Sequence, residues 1–267
     1  MKSNKVSTLW VEGQIRLIDQ VCLKSMVRAG LDVTLFHYGP LQNVPAGVKL
    51  ADARGVLDLG LLDRLQMRKR IDRAAWQPIA NFSDFFRVYL QKFGLGLWLD
   101  SDVFIFHNFE YDTERPFFAK EDRHRIGSPV FYLPADHPII GEYERLVAQP
   151  ELLPNWLGIW RGIVRPTWWK LTRQEFVPPD LGITIYGNDA FTRLAKRHRC
   201  YGLAMPSKSF YALNGKETER LFHDCDFRFL LDDPEHIGIH IHRKQRGTMP
   251  AEAGSFWEWA LLAFNEG

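Results

Sequence analysis

Two short runs of this 267-residue chain carry side chains whose types and spacing could do chemistry. Asp100-Ser101-Asp102 closes the apolar run Leu97-Trp98-Leu99. Two carboxylates two positions apart can share one divalent ion when the chain turns between them, and hard oxygen ligands suit Mg2+ or Mn2+. The carboxyl end of a buried strand is also where ligands gather in open α/β sheets. Alone the pattern says little, since Asp224-Cys225-Asp226 repeats it. A second run raises its specificity. Asp84 and Arg87 stand at i and i+3, and so share one face of a helix that contains both. The chain then turns at Gly94-Leu95-Gly96 and returns as the strand that bears Asp100. Helical steps from Ser83 to Phe93 cover ~15 Å, and extended steps from Gly96 to Asp100 cover ~13 Å. A strand running back along that helix sets Asp84 and Arg87 level with the aspartate pair. The plain alternative for Asp84 and Arg87 is a structural ion pair.

The elements that must position these groups follow from periodicity. Val6 to Trp10 reads as a strand; Ile15, Ile18, Cys22 and Met26 repeat at helical spacing, and Gly30 stops the helix. Asp32 to Tyr38 is a second strand, so the chain opens with a βαβ unit and a largely parallel sheet. Ser83 to Phe93 is helical, with Phe82, Phe86, Tyr89, Leu90 and Phe93 as its core stripe. Further strands lie between Phe117 and Leu133, and helices over Pro138–Val147 and Asp189–His198. Arg64 to Arg73 reads as a basic, solvated helix face, with anionic lipid as the other reading. Asn155 to Lys170 is dense in Trp and Arg, and Trp156, Trp160, Ile163 and Val164 fall at helical spacing. Packing as a flap over the core is expected there; an acceptor platform or an interfacial membrane helix is the alternative.

Ser83-Asp84-Phe85-Phe86-Arg87 followed by Gly96-Leu97-Trp98-Leu99-Asp100-Ser101-Asp102 resembles the D-x-D sugar-binding region of GT-A glycosyltransferases. The similarity is to the family-32 type, related to α-1,4-galactosyl- and mannosyltransferases and to the clostridial glucosylating toxins. Leu95 departs from it, standing where the first glycine of a Gly pair would be, with Gly94 displaced by one. Thr8 to Gly13 resembles the opening strand beside the nucleotide, and Gly187 to Thr192 a later G-P-x-A-L-T block with Asn188 in place of Pro.

The resemblance implies a Rossmann-like, mostly parallel sheet flanked by helices: one GT-A-like domain over 1–267 with inserted loops. Its nucleotide-sugar half would be 1–106 and its acceptor half 107–267. It implies that Asp102 ligates Mn2+ or Mg2+ and that Asp100 binds the metal or the ribose, with Ser101 between them at the donor. Asp84 and Arg87 would meet hydroxyls of the donor sugar, and Arg87 the diphosphate as well. Trp10 would lie beside the uracil or guanine. Asp189 would meet the sugar or acceptor, against the plainer role of helix N-cap. His240 would complete the metal sphere or touch the phosphates, with His242 as the other candidate. Arg243, Lys244 and Arg246 suit a diphosphate. Asp102, Arg87 and Asp189 are the implied catalytic set. The implied reaction is transfer from a nucleotide-diphosphate sugar, UDP-sugar foremost, to a glycan or lipid-linked hydroxyl with retention, in surface polysaccharide synthesis.

Composition narrows the field. Hydrophobic residues at 46% and charged residues at 25% describe a globular chain rather than a disordered tail or a coiled coil. A net charge of +2 gives no reason to expect nucleic acid. Three cysteines without C-x-x-C spacing indicate neither a disulfide framework nor a thiolate zinc site. With no secretory signal and no apolar run near ~20 residues, the expected location is cytoplasmic, with peripheral attachment at the inner membrane face suited to a lipid-linked acceptor. Two rival classes remain. One is a haloacid-dehalogenase-type phosphatase with Asp100 as nucleophile, although Phe104 stands where that family wants Thr or Val. The other is a catalytically silent carbohydrate-binding relative.

Overall fold

Strand β1 (Lys5–Leu9) buries Val6, Ser7 and Thr8 in succession. A strand covered on both faces belongs at the centre of a parallel sheet. In the computed structural model, which describes residues 1–66, 77–174, 176–242 and 250–264, β1 lies between β2 (Asp32–His37) and β4 (Leu97–Leu99) and is parallel to both. Beyond β2 lies β3 (Lys49–Asp52), also parallel. Short strand β5 (Val103–Ile105) leaves the sheet just past the aspartates. On the far side β6 (Phe117–Lys120) and β7 (Ile126–Tyr132) complete six strands in the order β3-β2-β1-β4-β7-β6. Strand β7 is antiparallel to both its neighbours, with Val130 opposite Leu99 and Phe131 opposite Trp98.

This mixed, mostly parallel sheet matches the expected α/β class, and its order fixes where a ligand can sit. From β1 the chain proceeds outward to β2 and β3; β4 then enters on the other flank of β1. The carboxyl ends of β1 and β4 therefore bound a topological switch point, the usual ligand crevice of open α/β sheets. Trp10 follows one of these ends and Asp100 the other.

Helix α1 (Leu17–Arg28) joins β1 to β2 and buries Ile18, Cys22 and Met26; Ile15, equally buried, precedes it. Helix α2 (Gln77–Lys92) begins a turn and a half before the expected start, because Pro78 sits in its first turn, where a missing N–H is harmless. Phe82, Phe86 and Leu90 of its expected stripe are buried; Tyr89 is half-buried, and Phe93 lies beyond the helix, 49% exposed. The ring of Phe86 meets Trp98 of β4 at 6.0 Å and Phe36 of β2 at 5.7 Å, so α2 is clamped across the sheet. Helices α3 (Pro138–Val147), α4 (Arg165–Leu171, preceded by a wider helical turn over Trp160–Val164), α5 (Asn188–Arg197) and α6 (Phe256–Phe264) complete the larger helices. The expected flap is only partly core. Trp156 and Trp169 are buried, but Trp160, Ile163, Val164 and Trp168 face outward. Most of the expected basic helix over Arg64–Arg73 lies outside the described residues.

The link between α2 and β4 resolves the displaced glycine. Both Gly94 (φ +61°) and Gly96 (φ +109°) take left-handed conformations. A Cβ on Gly96 would stand 2.9 Å from the carbonyl oxygen of Lys5 in β1. Leu95, between them, accepts a hydrogen bond at its carbonyl from Ser7 Oγ at 2.7 Å. We expect Gly96→Ala to lose about 1–3 kcal/mol of folding free energy, while Gly55→Ala, whose Cβ meets nothing within 4 Å, stays within ~0.5 kcal/mol. Guanidinium unfolding curves check this, and equal midpoints would contradict it.

Candidate metal and anion site

The Arg87 guanidinium is the hub. It is 3% exposed, and every edge is engaged. Nε donates to the Ser83 carbonyl at 3.1 Å, Nη2 to Ser83 Oγ at 3.1 Å, and Nη1 to the Ser128 carbonyl of β7. Nη2 lies 3.5 Å from Asp84 Oδ1 and 3.3 Å from Asp100 Oδ1, and the guanidinium covers the Trp98 ring at 4.9 Å. The Trp98 indole donates to the same Asp100 oxygen at 2.6 Å. The helix and the strand tip thus meet as the spacing requires: Asp84, Arg87 and Asp100 are in one cluster.

Asp84 shares the cation with Asp100 but is the more deeply placed. Burial pushes its carboxyl up to about 7, the Asp100 charge adds to this, and Arg87 opposes it. Gly187, just before α5, is packed so closely that a Cβ there would come within 2.6–2.9 Å of the Asp84 carboxylate. The start of α5 is therefore part of the same site.

Asp102 is fully buried one turn beyond. Strand β8 (Gly238–His240) pairs antiparallel with β5, setting His240 opposite Val103, and Ile241 N–H donates to the Asp102 carbonyl at 3.0 Å. That register carries His240 Nε2 to 3.4 Å from Asp102 Oδ1. Ligand atoms of Asp100, Asp102 and His240 all lie within 4.8 Å of one another. Ligands at ~2.1 Å from one octahedral ion can be no more than ~4.2 Å apart, so little closure is needed for all three to reach one ion. Two carboxylates and an imidazole are hard-to-borderline donors, suited to a divalent ion rather than to a soft metal. The other ring nitrogen of His240, Nδ1, is buried without a hydrogen-bond partner among the described residues. His242 lies close by, its ring centroid 3.9 Å from that of His240 and tilted by 55°, but it is His240 that reaches the aspartates.

The remaining expected residues are placed as follows. Ser101 Oγ donates to Asp19 Oδ1 of α1 at 2.6 Å. Asp19 also grips Arg16, whose Nε donates to it at 2.7 Å and whose guanidinium covers the half-exposed Trp10 ring at 4.9 Å. One buried carboxylate therefore ties the loop after β1 to the loop after β4. Asp189 is the second residue of α5, not its N-cap, which is Gly187; its Oδ2 accepts from Thr184 Oγ1 at 2.9 Å and from Arg161. Arg243, Lys244 and Arg246 lie outside the described residues.

Three groups at the site were not expected from the sequence. Asp19 and Arg16 are the first, at i and i+3. Tyr211 is the second: it is buried, its ring lies edge-on to His240 at 6.1 Å, and its hydroxyl has no hydrogen-bond partner among the described residues. Burial raises its phenol far above the usual range, Glu121 and Asp100 add to this, and Arg87 opposes it. A Cβ at residue 127 would collide with that hydroxyl at 2.1 Å, so Gly127 makes room for it. Asn81 is the third, one turn before Asp84 and fully buried, with neither amide atom bonded to a described residue. Its i−3 offset from Asp84 was the available signal; Tyr211 had none, because its approach depends on long-range packing.

Fold and site together define a mixed α/β protein with an Asp-Asp-His cluster able to hold a metal ion beside a buried arginine. No protein-family model matches the chain, and no curated protein sequence matches it. Among solved structures, the chain is similar to PaToxG glycosyltransferase at a TM-score of 0.38 and 11% identity, over 76% of this chain and 87% of that one.

The displacement of Asp84 gives a pH signature. Its folded pKa, about 7, lies above the ordinary 3.8. Folding is therefore favoured by the protonated form: the contribution is full below pH ~4 and lost as pH rises through ~7. We expect the melting temperature in chelator to fall between pH 5 and pH 8 more in the native protein than in Asp84→Asn. Parallel pH profiles would contradict the assignment.

Proposed function

We propose that this chain is a metal-dependent glycosyltransferase with a GT-A-like fold spanning 1–267. It would transfer sugar from a nucleotide-diphosphate donor, UDP-sugar foremost, to a hydroxyl of a glycan or lipid-linked acceptor with retained configuration. A role in surface polysaccharide synthesis follows from the sequence resemblance alone. The observation that carries the reading is the meeting of Asp84 and Arg87 with Asp100 at the carboxyl end of β4, where Asp102 and His240 add two further metal-ligand atoms.

Each residue then has a task. Asp100, Asp102 and His240 would hold Mn2+ or Mg2+, and when bound the ion supplies electrostatic stabilisation of the charge that develops on the leaving diphosphate. Arg87 is a fixed cation on the same side, already oriented by six contacts, so little reorganisation accompanies charge build-up. Asp84 and Arg87 would orient hydroxyls of the donor sugar, and Trp10 would lie beside the base. Ser101 serves through Asp19 by fixing the loop. Asp189 at the start of α5 would face the acceptor, and holding its hydroxyl near the anomeric carbon supplies much of the remaining rate. No carboxylate is assigned as a covalent nucleophile. A phosphatase would need Asp100 as its nucleophile, but its Oδ1 is engaged by Trp98 and Arg87, which blunts nucleophilicity.

A panel of nucleotide sugars assayed with Mn2+, with and without chelator, tests this. One donor should be turned over, with activity lost in chelator and reduced at least ~100-fold in Asp102→Ala. Arg87→Lys should reduce kcat/KM at least ~10-fold, since an ammonium cannot reproduce the planar fork. Turnover unaffected by chelator, or hydrolysis of a simple phosphomonoester alone, would overturn the proposal.

A further inference from the structure

The helical stretch from Gly158 to Leu171 carries an uncovered apolar face. Ile159 (73% exposed), Trp160 (70%), Ile163 (61%), Val164 (39%), Trp168 (61%) and Leu171 (75%) all point into solvent. The two tryptophans alone put roughly 200–330 Å² in water at the 150–250 Å² of an aromatic side chain. With four aliphatic neighbours the face exceeds what isolated surface apolar residues explain, and marks an interaction surface.

Charge indicates the partner. Between Glu151 and Glu175 the chain holds four cations, Arg161, Arg165, Lys170 and Arg173, and no acid. The Arg165 guanidinium lies over the ring of Trp169 at 4.4 Å, a contact that holds it in place without neutralising its charge. Lys170 is 3.7 Å from Glu151, both 61% exposed, a pairing that solvent largely screens. Tryptophans beside basic residues on a short apolar face are the chemistry of a helix lying in a membrane interface, with rings at the acyl boundary and cations among anionic headgroups. No helix among the described residues is long and apolar enough to cross a membrane, and this stretch falls short of the ~20 residues a span takes, so it would lie in the interface.

The face also has a fixed relation to the site. Arg161, on the wider turn before α4, is paired with Asp189. Asp189 is two residues from Gly187, which abuts Asp84. We propose that this face docks on an anionic lipid surface and so holds the α5 side of the site next to the bilayer, where a lipid-linked hydroxyl would arrive. Docking does not depend on the glycosyltransferase reading, because lipid binding can be read without turnover.

Co-sedimentation of the full chain with vesicles tests it, using phosphatidylcholine alone and phosphatidylcholine with phosphatidylglycerol. The native chain should pellet with the anionic vesicles and at least tenfold less with neutral ones. Trp160→Ser/Trp168→Ser should reduce partitioning at least tenfold with its melting temperature unchanged, and Lys170→Glu/Arg173→Glu should remove the preference for phosphatidylglycerol. Failure of the native chain to pellet, or equal pelleting of the tryptophan variant, overturns the proposal. So does a dimer in light scattering that the tryptophan substitutions dissociate, since a second copy would then be the cover. Loss of turnover in the nucleotide-sugar panel with vesicle binding intact would remove the enzymatic reading and leave this one standing.

Discussion

A single buried guanidinium organises the working end of this molecule. Arg87 sits between two carboxylates, two main-chain carbonyls and the face of an indole, which ties α2 to β4 and to β7 at once. A buried cation is tolerable only when its hydrogen-bonding capacity is met, and removing one partner of such a group typically costs about 3–5 kcal/mol. The arrangement therefore dictates where Asp84 and Asp100 must be. Its charge is shared between the Asp84 and Asp100 carboxylates at the carboxyl end of the sheet. Burial is the main reason that the Asp84 carboxyl is elevated; Arg87 opposes the shift and the neighbouring Asp100 charge adds to it.

Around this hub the fold supplies partners from distant stretches of chain. Strand β5 leaves the main sheet immediately after Asp102 and pairs instead with β8, which is how His240, 138 residues later in the sequence, comes to face the aspartates. Asp19 of α1 reaches both Ser101 and Arg16. The loop after β1 and the loop after β4 are thus cross-braced, and the switch point between those strands is held in one shape. Gly96, Gly127 and Gly187 serve the same end by leaving space where a Lys5 carbonyl, the Tyr211 hydroxyl and the Asp84 carboxylate approach the backbone.

The legible part of the sequence was the local part. Short apolar runs and helical periodicity located β1, α1, β2 and β4, and the helix-turn-strand arithmetic brought Asp84 and Arg87 to Asp100. The start of α2 was misplaced because its first turn, opened by Pro78, lacks the aromatic stripe that marked the rest. The tryptophan-rich stretch is covered less than a flap would be, for a related reason: helical spacing does not say whether a face is covered, and Trp156 and Trp169 are buried while Trp160 and Trp168 are exposed. Tyr211 and Asp19 were invisible because their roles arise from contacts between distant stretches of chain, Asp19 with Ser101 and Tyr211 with Gly127 and His240, which no spacing rule encodes.

The central claim is that Asp100, Asp102 and His240 hold one divalent ion beside the Arg87 cation. Electron paramagnetic resonance of free Mn2+, titrated with protein alone, counts bound ions directly. One Mn2+ per chain should bind in the native protein, with the site lost in Asp102→Ala and weakened in His240→Ala. Equal Mn2+ binding by the native chain and Asp102→Ala would contradict the account.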